Sequence, residues 1–221
     1  MAIKILSVHE DILSANDTKA KENLEFLTLK GILMINIMAS PGSGKTSILL
    51  NTIDGLAGKA NIGVIEGDVA SSVDAEKISE KSVPVVQINT AGGCHLEANQ
   101  VELALKNLPV DELDLIFIEN VGNLICPAGF ALGEQKRVMI LSTPEGHDKP
   151  YKYPNMFLDV DVVLVNKIDL SPLLDFDMEE FISAVKGLNP DVEILQVSAK
   201  TGDGMDKWHD WLEKQLEGSR S

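Results

Sequence analysis

From Gly31 onward the chain alternates between short apolar runs and amphipathic stretches. The run ILMINIM (32–38) is almost unbroken in its apolarity, which suits a strand buried on both faces. Comparable runs recur at 61–66, 83–88, 113–119, 137–142, 160–166 and 192–198. Helical patterns fill most of the gaps, at about 45–57, 74–81, 96–107, 175–187 and 204–217. Strands alternating with helices predict an α/β fold, with a mostly parallel central sheet and helices on both faces. Such sheets bind ligands beyond the carboxyl ends of their strands. Before the first run, a further helix is expected over Asp17 to Leu29, its apolar side supplied by Leu24, Leu27 and Phe26. Gly31 would stop it. The expected organisation is a helical extension over 1–30 and a single domain over 31–221.

Composition narrows the choice of partners. The 221 residues carry 19 Lys+Arg against 34 Asp+Glu, a formal charge of −15. An acidic surface repels phosphate backbones and anionic lipids, so neither nucleic acid nor membrane is an expected partner. A mononucleotide remains possible, because it needs only one local cradle of donors. No apolar run reaches the length of a membrane helix, and the start MAIKILSVHEDIL is too short in apolar residues and too early in acid for a secretory signal. A cytoplasmic protein with reduced thiols is expected. The chain has two cysteines, too few for a four-thiolate zinc site.

The first chemistry-bearing motif follows the first run. Ala39-Ser40-Pro41-Gly42-Ser43-Gly44-Lys45-Thr46 matches the phosphate-binding loop, with Ala39 in place of its first glycine. Gly42 and Gly44 let the backbone curl so that successive N–H groups, Ser43 among them, point at phosphate oxygens. The helix that begins near Lys45 adds its positive end. Lys45 would bridge the β- and γ-phosphates. The Thr46 hydroxyl would ligate Mg²⁺, with Ser47 beside it at the helix start.

The base is expected to be guanine. Asn166-Lys167-Ile168-Asp169 follows the run at 160–166 and resembles the guanine-recognition motif of GTPases. The Asp169 carboxylate can accept from N1–H and the exocyclic amine of guanine, whereas adenine would leave it unpaired. Lys167 would lie along the base plane, and Asn166 would tie this loop to the phosphate loop. Ser198-Ala199-Lys200 matches the second guanine loop, with the Ala199 N–H aimed at the base carbonyl.

Two strand ends offer carboxylates for Mg²⁺. Glu66-Gly67-Asp68 ends one run and Glu119-Asn120-Val121-Gly122 ends another. Glu119 stands where most phosphate-loop NTPases have Asp, and Asp68 would either ligate Mg²⁺ or orient the attacking water. With Lys45, these are the candidate catalytic residues. Gly122 would let its segment pivot toward the γ-phosphate. No glutamine stands where a Ras-like enzyme keeps its water-positioning residue, so slow turnover is expected.

Gly92-Gly93-Cys94-His95 and Cys126 form a third set. Neighbours on a helix or strand diverge, so Cys94 and His95 would face one metal only from an irregular turn, which the paired glycines permit. Thiolate and imidazole suit Zn²⁺, Ni²⁺ or copper. One chain supplies three such groups where a tetrahedral site takes four, which points to an open site or one completed across a dimer. Spacing alone leaves open the plainer reading of two packed cysteines and a helix-capping histidine.

In this order, ASPGSGKT, EGD, GGCH, ENVGNLICPAGF, TPEGHDKPYKYP and NKIDL resemble the hydrogenase nickel-incorporation GTPases of the HypB family, over about residues 35–200. The resemblance implies a SIMIBI-class GTPase that forms a GTP-dependent homodimer. It also implies help in loading Ni²⁺ into [NiFe] hydrogenase, with a maturation partner and the hydrogenase large subunit as associates. By the same resemblance, Cys94, His95 and Cys126 bind Ni²⁺ or Zn²⁺ at the dimer interface. Some family members carry an N-terminal Cys-rich or His-rich segment, whereas residues 1–30 here hold one histidine, His9, and no cysteine. The site in the GTPase domain is therefore expected to act alone. Within the family a lysine near Thr143–Pro154 approaches the partner's nucleotide. Lys149 and Lys152 lie there, and a solvated loop lysine is an equal reading for Lys152.

The competing readings are a related GTPase serving another client such as urease, a non-catalytic metal-binding scaffold, and a small-molecule kinase. The urease type carries a Cys-Pro-His arrangement, whereas here His95 follows Cys94 directly and Pro127 follows Cys126. The guanine motif disfavours the kinase.

Overall fold

The computed structural model describes residues 8–69 and 72–219, with side chains from Leu13 onward. The chain start and the His9 side chain, on which the sequence raised expectations, lie outside the described residues. Seven strands form one sheet: β1 (Leu33–Ala39), β2 (Ile62–Asp68), β3 (Val85–Asn89), β4 (Leu115–Glu119), β5 (Lys136–Ser142), β6 (Val162–Asn166) and β7 (Glu193–Gln196). Their order is β3-β2-β4-β1-β5-β6-β7, and every pairing is parallel. The inner strands fall on the apolar runs because a strand buried on both faces needs apolar side chains at successive positions, whereas the edge strands β3 and β7 are only partly buried. In β1 all seven residues are buried.

Helices cover both faces. On one side α2 (Lys45–Gly55), α3 (Val73–Ser79) and α8 (Met205–Ser219) enclose a core that includes Ile48, Ile78, Phe117, Trp208 and Trp211. On the other side α1 (Val8–Lys30) and α4 (Ala98–Leu105) pack over Met34, Ile116 and Leu132. The short helices α5 (Lys149–Lys152) and α6 (Asn155–Leu158) precede β6. With α7 (Met178–Leu188), the α6 side chains Met156 and Phe157 complete that face around Met139 and Phe181.

α1 departs from its expected form. It begins earlier, at Val8, and ends as expected: Gly31 sits at φ +67, its N–H reaches Thr28 O, and the Ile32 N–H reaches Leu27 O. Its inward stripe is Asn16, Ala20, Asn23 and Leu27, all buried, while Leu24 and Phe26 are exposed. Hydropathy misled the reading here because two inward positions are amides that find hydrogen bonds inside.

Parallel strands place the sequence motifs together. Asp68 lies opposite Asn89, Glu66 opposite Glu119, and Ser142 opposite Asn166, so the loops after these strands open on one edge of the sheet.

Candidate nucleotide and metal site

The loop between β1 and α2 takes the curled path expected of it. Gly42 and Gly44 have φ of +76 and +100, conformations that side chains rarely adopt. At Gly44 a β-carbon would also run into the Asn166 amide, so glycine is required twice over. Ser43 is fully buried. Ala39 is buried in β1 with no sign of strain, which explains why the first glycine of the motif is dispensable.

The guanine motif is tied to this loop by hydrogen bonds. Asn166 Nδ2 donates to Ser43 O at 2.9 Å, and its Oδ1 accepts from the Ala199 N–H at 3.2 Å. Lys167 Nζ donates to Gly42 O at 2.6 Å from a left-handed backbone (φ +62). Ser198 Oγ donates to Asp169 Oδ1 at 2.7 Å, fixing the carboxylate and leaving its other oxygen for a ligand. Lys200 is exposed beside this loop, and Ser47 is exposed at the start of α2. The two guanine loops and the phosphate loop are thus one connected cradle.

At the strand tips Thr46 Oγ1 donates to Glu119 Oε1 at 2.8 Å. Glu66, Glu119 and Asp74 each bring a carboxylate oxygen within 4.8 Å of the others. Glu66 and Glu119 are almost wholly buried, and Oε2 of each lacks a hydrogen-bond partner among the described residues. Burial, with Glu119 and Asp68 nearby, pushes the Glu66 carboxyl up to about 8. Burial likewise pushes Glu119 to about 7, against the opposing pull of Lys45 and the Thr46 hydrogen bond. Orphaned carboxylate oxygens beside a threonine hydroxyl fit a hard divalent cation such as Mg²⁺. Asp68 is near enough to raise both pKa values, yet the cation-sized group is built from Glu66 and Asp74 with Glu119. The sequence pattern names Glu66 within Glu66-Gly67-Asp68 but assigns the role to Asp68, and it does not mark Asp74 at all. Glu66 was legible as the residue two before Asp68, hence on the same face of the strand. Asp74 lies on α3, where nothing local marks it.

The thiol set also assembles. Residues 91–95 form an irregular turn, with Ala91 and Gly92 at positive φ. Thr90 closes it, accepting from the Gly93 N–H through its carbonyl and donating to Gly93 O through its hydroxyl. The turn brings Cys94 Sγ to 3.5 Å from His95 Nδ1, and the Cys94 thiol donates to Cys126 Sγ at 3.0 Å. That hydrogen bond and burial raise the Cys94 pKa, and burial lowers that of His95. The His95 ring stacks on Phe130 at 3.8 Å, and its Nε2 is buried without a partner among the described residues. Two sulfurs and an imidazole with an orphaned nitrogen fit a borderline-soft metal ion. Cys94 and the adjoining Ile125 are exposed, so the cluster opens on the surface.

One segment joins the two centres. After Glu119 the chain runs against the phosphate loop: the Asn123 N–H donates to Ala39 O at 2.8 Å, and a β-carbon on Gly122 would lie 3.0 Å from Pro41 N. Asn123 Nδ2 then donates to Cys94 O at 3.1 Å, and Cys126 follows three residues later. Glu145 is a further contact that the sequence did not announce. It accepts from the Ser142 N–H and Ser142 Oγ and from Ser40 Oγ of the phosphate loop. Lys149 donates to Glu145 O and pairs with Asp148, and Lys152 pairs with Asp148 as well.

Comparison with known proteins gives the family. A family model described as "CobW/HypB/UreG, nucleotide-binding domain" matches residues 33–196. The hydrogenase maturation factor HypB of Azotobacter vinelandii is 49% identical over 212 residues, covering 96% of this chain and 70% of that protein. The probable hydrogenase maturation factor HypB of Methanocaldococcus jannaschii is 41% identical, with 97% of each chain covered. Among solved structures, HypB from Helicobacter pylori in complex with nickel superposes with a TM-score of 0.89 at 34% identity, covering 94% of this chain and 97% of that one. HypB from Archaeoglobus fulgidus gives 0.87 at 37%, covering 92% and 100%. The signal recognition particle receptor FtsY of Elizabethkingia anophelis, 12% identical with a TM-score of 0.56, shares the fold alone. A phosphate loop, a guanine cradle and a Cys-His-Cys cluster in one parallel sheet, together with this likeness, mean that the chain belongs to the CobW/HypB/UreG family of nucleotide-binding proteins, on its HypB branch.

Proposed function

We propose that this chain is a GTP-hydrolysing metal chaperone that helps deliver nickel to [NiFe] hydrogenase during its maturation. The observation that carries the proposal is the segment 119–126, which has a Mg²⁺-type carboxylate at one end, a thiol at the other, and a hydrogen bond from Asn123 to Ala39 of the phosphate loop between them. GTP enters the cradle with its phosphates on the loop N–H groups and Lys45 and with its base on Asp169. Thr46 and Glu119, with Glu66, Asp74 and Asp68 around them, would hold Mg²⁺, which would supply charge neutralisation at the phosphates. The carboxylates of this group also supply the positions from which an attacking water can be oriented. Contact between the γ-phosphate and the Gly122 region shifts the segment, and Cys126 moves with it.

Cys94, His95 and Cys126 take the nickel cargo, or Zn²⁺ in its place. Three donors on an exposed face that also carries Ile125 support a site completed by a second copy of the chain in the GTP state. The associates of such a protein are a maturation partner and the hydrogenase large subunit.

Nickel titrations in the presence of a non-hydrolysable GTP analogue and of GDP test the coupling. Different affinities are expected, and equal affinities would mean that the two sites are thermodynamically independent. Phosphate release in a single turnover distinguishes this chaperone from a non-catalytic scaffold. A urease client is supported by one relative, the hydrogenase/urease maturation factor HypB of Helicobacter hepaticus, 38% identical over 216 residues. Complementation of hydrogenase and urease activities in deletion strains separates the two clients.

A further inference from the structure

Two buried amides on α1 hold the metal cluster's two loops together. Asn16 Oδ1 accepts from the Ala98 N–H at 2.9 Å, and its Nδ2 donates to Ala131 O at 2.8 Å. Asn23 Nδ2 donates to Ala98 O at 2.8 Å and to Leu132 O at 2.9 Å. Each amide therefore bridges the same two segments. One leaves Cys94-His95 and enters α4. The other leaves Cys126 and runs toward β5.

The attachment points are close to the ligands, four residues beyond Cys94 and five or six beyond Cys126. Leu132 is gripped from both sides, because its N–H donates to Glu134 Oε2 at 2.7 Å while its carbonyl accepts from Asn23. Leu96 is held by Asn120 Oδ1, and the His95–Phe130 stack joins the two loops above the amides. Each buried amide satisfies backbone groups that an apolar side chain of similar shape would strand. Its directional bonds also fix the spacing of the segments they join. In this chain that spacing is the separation between Cys94 and Cys126.

We propose that α1 is a clasp for the metal site, with Asn16 and Asn23 as positioning residues that keep the Cys94-His95 loop and the Cys126 loop at ligand distance. Metal affinity then depends on the seating of α1, whereas nucleotide affinity does not, since these amides end on Ala98, Ala131 and Leu132, outside the guanine and phosphate loops. The inference rests on the metal reading of the cluster given above.

Nickel titration of the full chain, followed by the thiolate-to-nickel absorption band, tests it. The proteins compared are wild type, Cys94→Ala, Asn23→Leu, Asn16→Asp and Gly133→Ala. Asn23→Leu removes both donations. Asn16→Asp keeps the acceptor for Ala98 N–H and loses the donor to Ala131 O. Gly133→Ala alters no amide, but its β-carbon would lie 2.5 Å from Asn23 Cβ and 2.7 Å from Ala20 O, so α1 must shift.

We expect nickel affinity to fall by about ten-fold in the three clasp variants, as for other residues that orient metal ligands. The band should be altered at saturation, with GDP affinity unchanged and folding verified by circular dichroism. Wild-type affinity and band shape in those variants, alongside loss of the band in Cys94→Ala, would overturn the clasp and leave the metal site standing. Parallel loss of nickel and GDP binding would also overturn it, by showing a general structural effect. Absence of any thiolate band in wild type would overturn the metal reading and the clasp with it.

Discussion

Glu66 of β2 and Glu119 of β4 stand directly opposite each other on adjacent parallel strands, and each buries a carboxylate oxygen that no described residue satisfies. Two carboxyls desolvated side by side favour sharing protons over holding two negative charges. A divalent cation is the natural replacement for those protons.

The raised carboxyl pKa values set a pH dependence. Both groups titrate higher in the folded chain than the ordinary value of 4.5, Glu66 at about 8 and Glu119 at about 7. The folded state therefore binds more protons than the unfolded state across that window, and stability falls as pH rises through it, levelling above about 8. Mg²⁺ displaces the protons, so its affinity rises with pH and it restores the lost stability. Urea denaturation below and above the window, with and without Mg²⁺, should show a slope without the ion that Mg²⁺ flattens. Glu66→Gln should remove most of that slope, and an unchanged slope would place the titrating group elsewhere.

Asp169 has one oxygen held by Ser198 Oγ, and no described residue is hydrogen-bonded to the other. Asp169→Asn offers a donor where guanine also presents donors. GTP affinity should fall by on the order of ten- to hundred-fold, corresponding to about 1–3 kcal/mol for a mispaired buried group. Xanthine carries an oxygen in place of the exocyclic amine, so xanthosine triphosphate should gain affinity. Competition titrations with a fluorescent nucleotide measure both, and equal losses for the two nucleotides would contradict this assignment of the base edge.

The indole of Trp208 is fully buried and donates to Thr52 Oγ1 at 2.8 Å, locking α8 against α2 behind the phosphate loop. Thr52→Val keeps the shape and removes the acceptor. The stranded indole N–H should lower stability by about 1–3 kcal/mol, visible as a lower Tm. Nucleotide stoichiometry should not change, because no cradle residue is touched. An unaltered Tm would mean that the indole finds another acceptor.

Cys94 and Cys126 have their sulfurs 3.0 Å apart, within easy reach of a disulfide. In the absence of metal, an oxidant should convert the two adjacent thiols into a disulfide. The reaction should quicken as pH rises, since the Cys94 pKa is raised and the thiolate is the reacting form. Saturating Ni²⁺ or Zn²⁺ should block oxidation by occupying both sulfurs. Thiol counting before and after oxidant, with and without metal, gives the answer, and oxidation that ignores bound metal would argue against joint ligation by these two residues.

Much of this protein was legible in the order of its residues. The five inner strands fall on apolar runs because burial on both faces leaves a signature that needs no partner to be read, and the half-exposed edge strands β3 and β7 carry the same pattern more weakly. The phosphate loop and Asn166–Asp169 were legible for a similar reason: their chemistry depends on residues a few positions apart, and in the phosphate loop Gly42 and Gly44 stand where the backbone turns left-handed. Two cysteines and a histidine, which spacing alone left ambiguous, became a cluster only when the turn at 91–95 and the segment after β4 met across the sheet edge.

Tertiary structure decided what local pattern does not encode. Glu66 pairs with Glu119 through the adjacency of β2 and β4, strands some fifty residues apart in the chain. Asp74 joins them from α3. The inward stripe of α1 was hidden by its own chemistry, since Asn16 and Asn23 look like solvent-facing residues until their partners at Ala98, Ala131 and Leu132 are known. Short-range geometry is written in the sequence because each residue meets its neighbours in every conformation. Long-range pairing exists only once the sheet has chosen its strand order, and in this chain that order brings the carboxylates and the thiols to one edge, with the clasp packed on the neighbouring face.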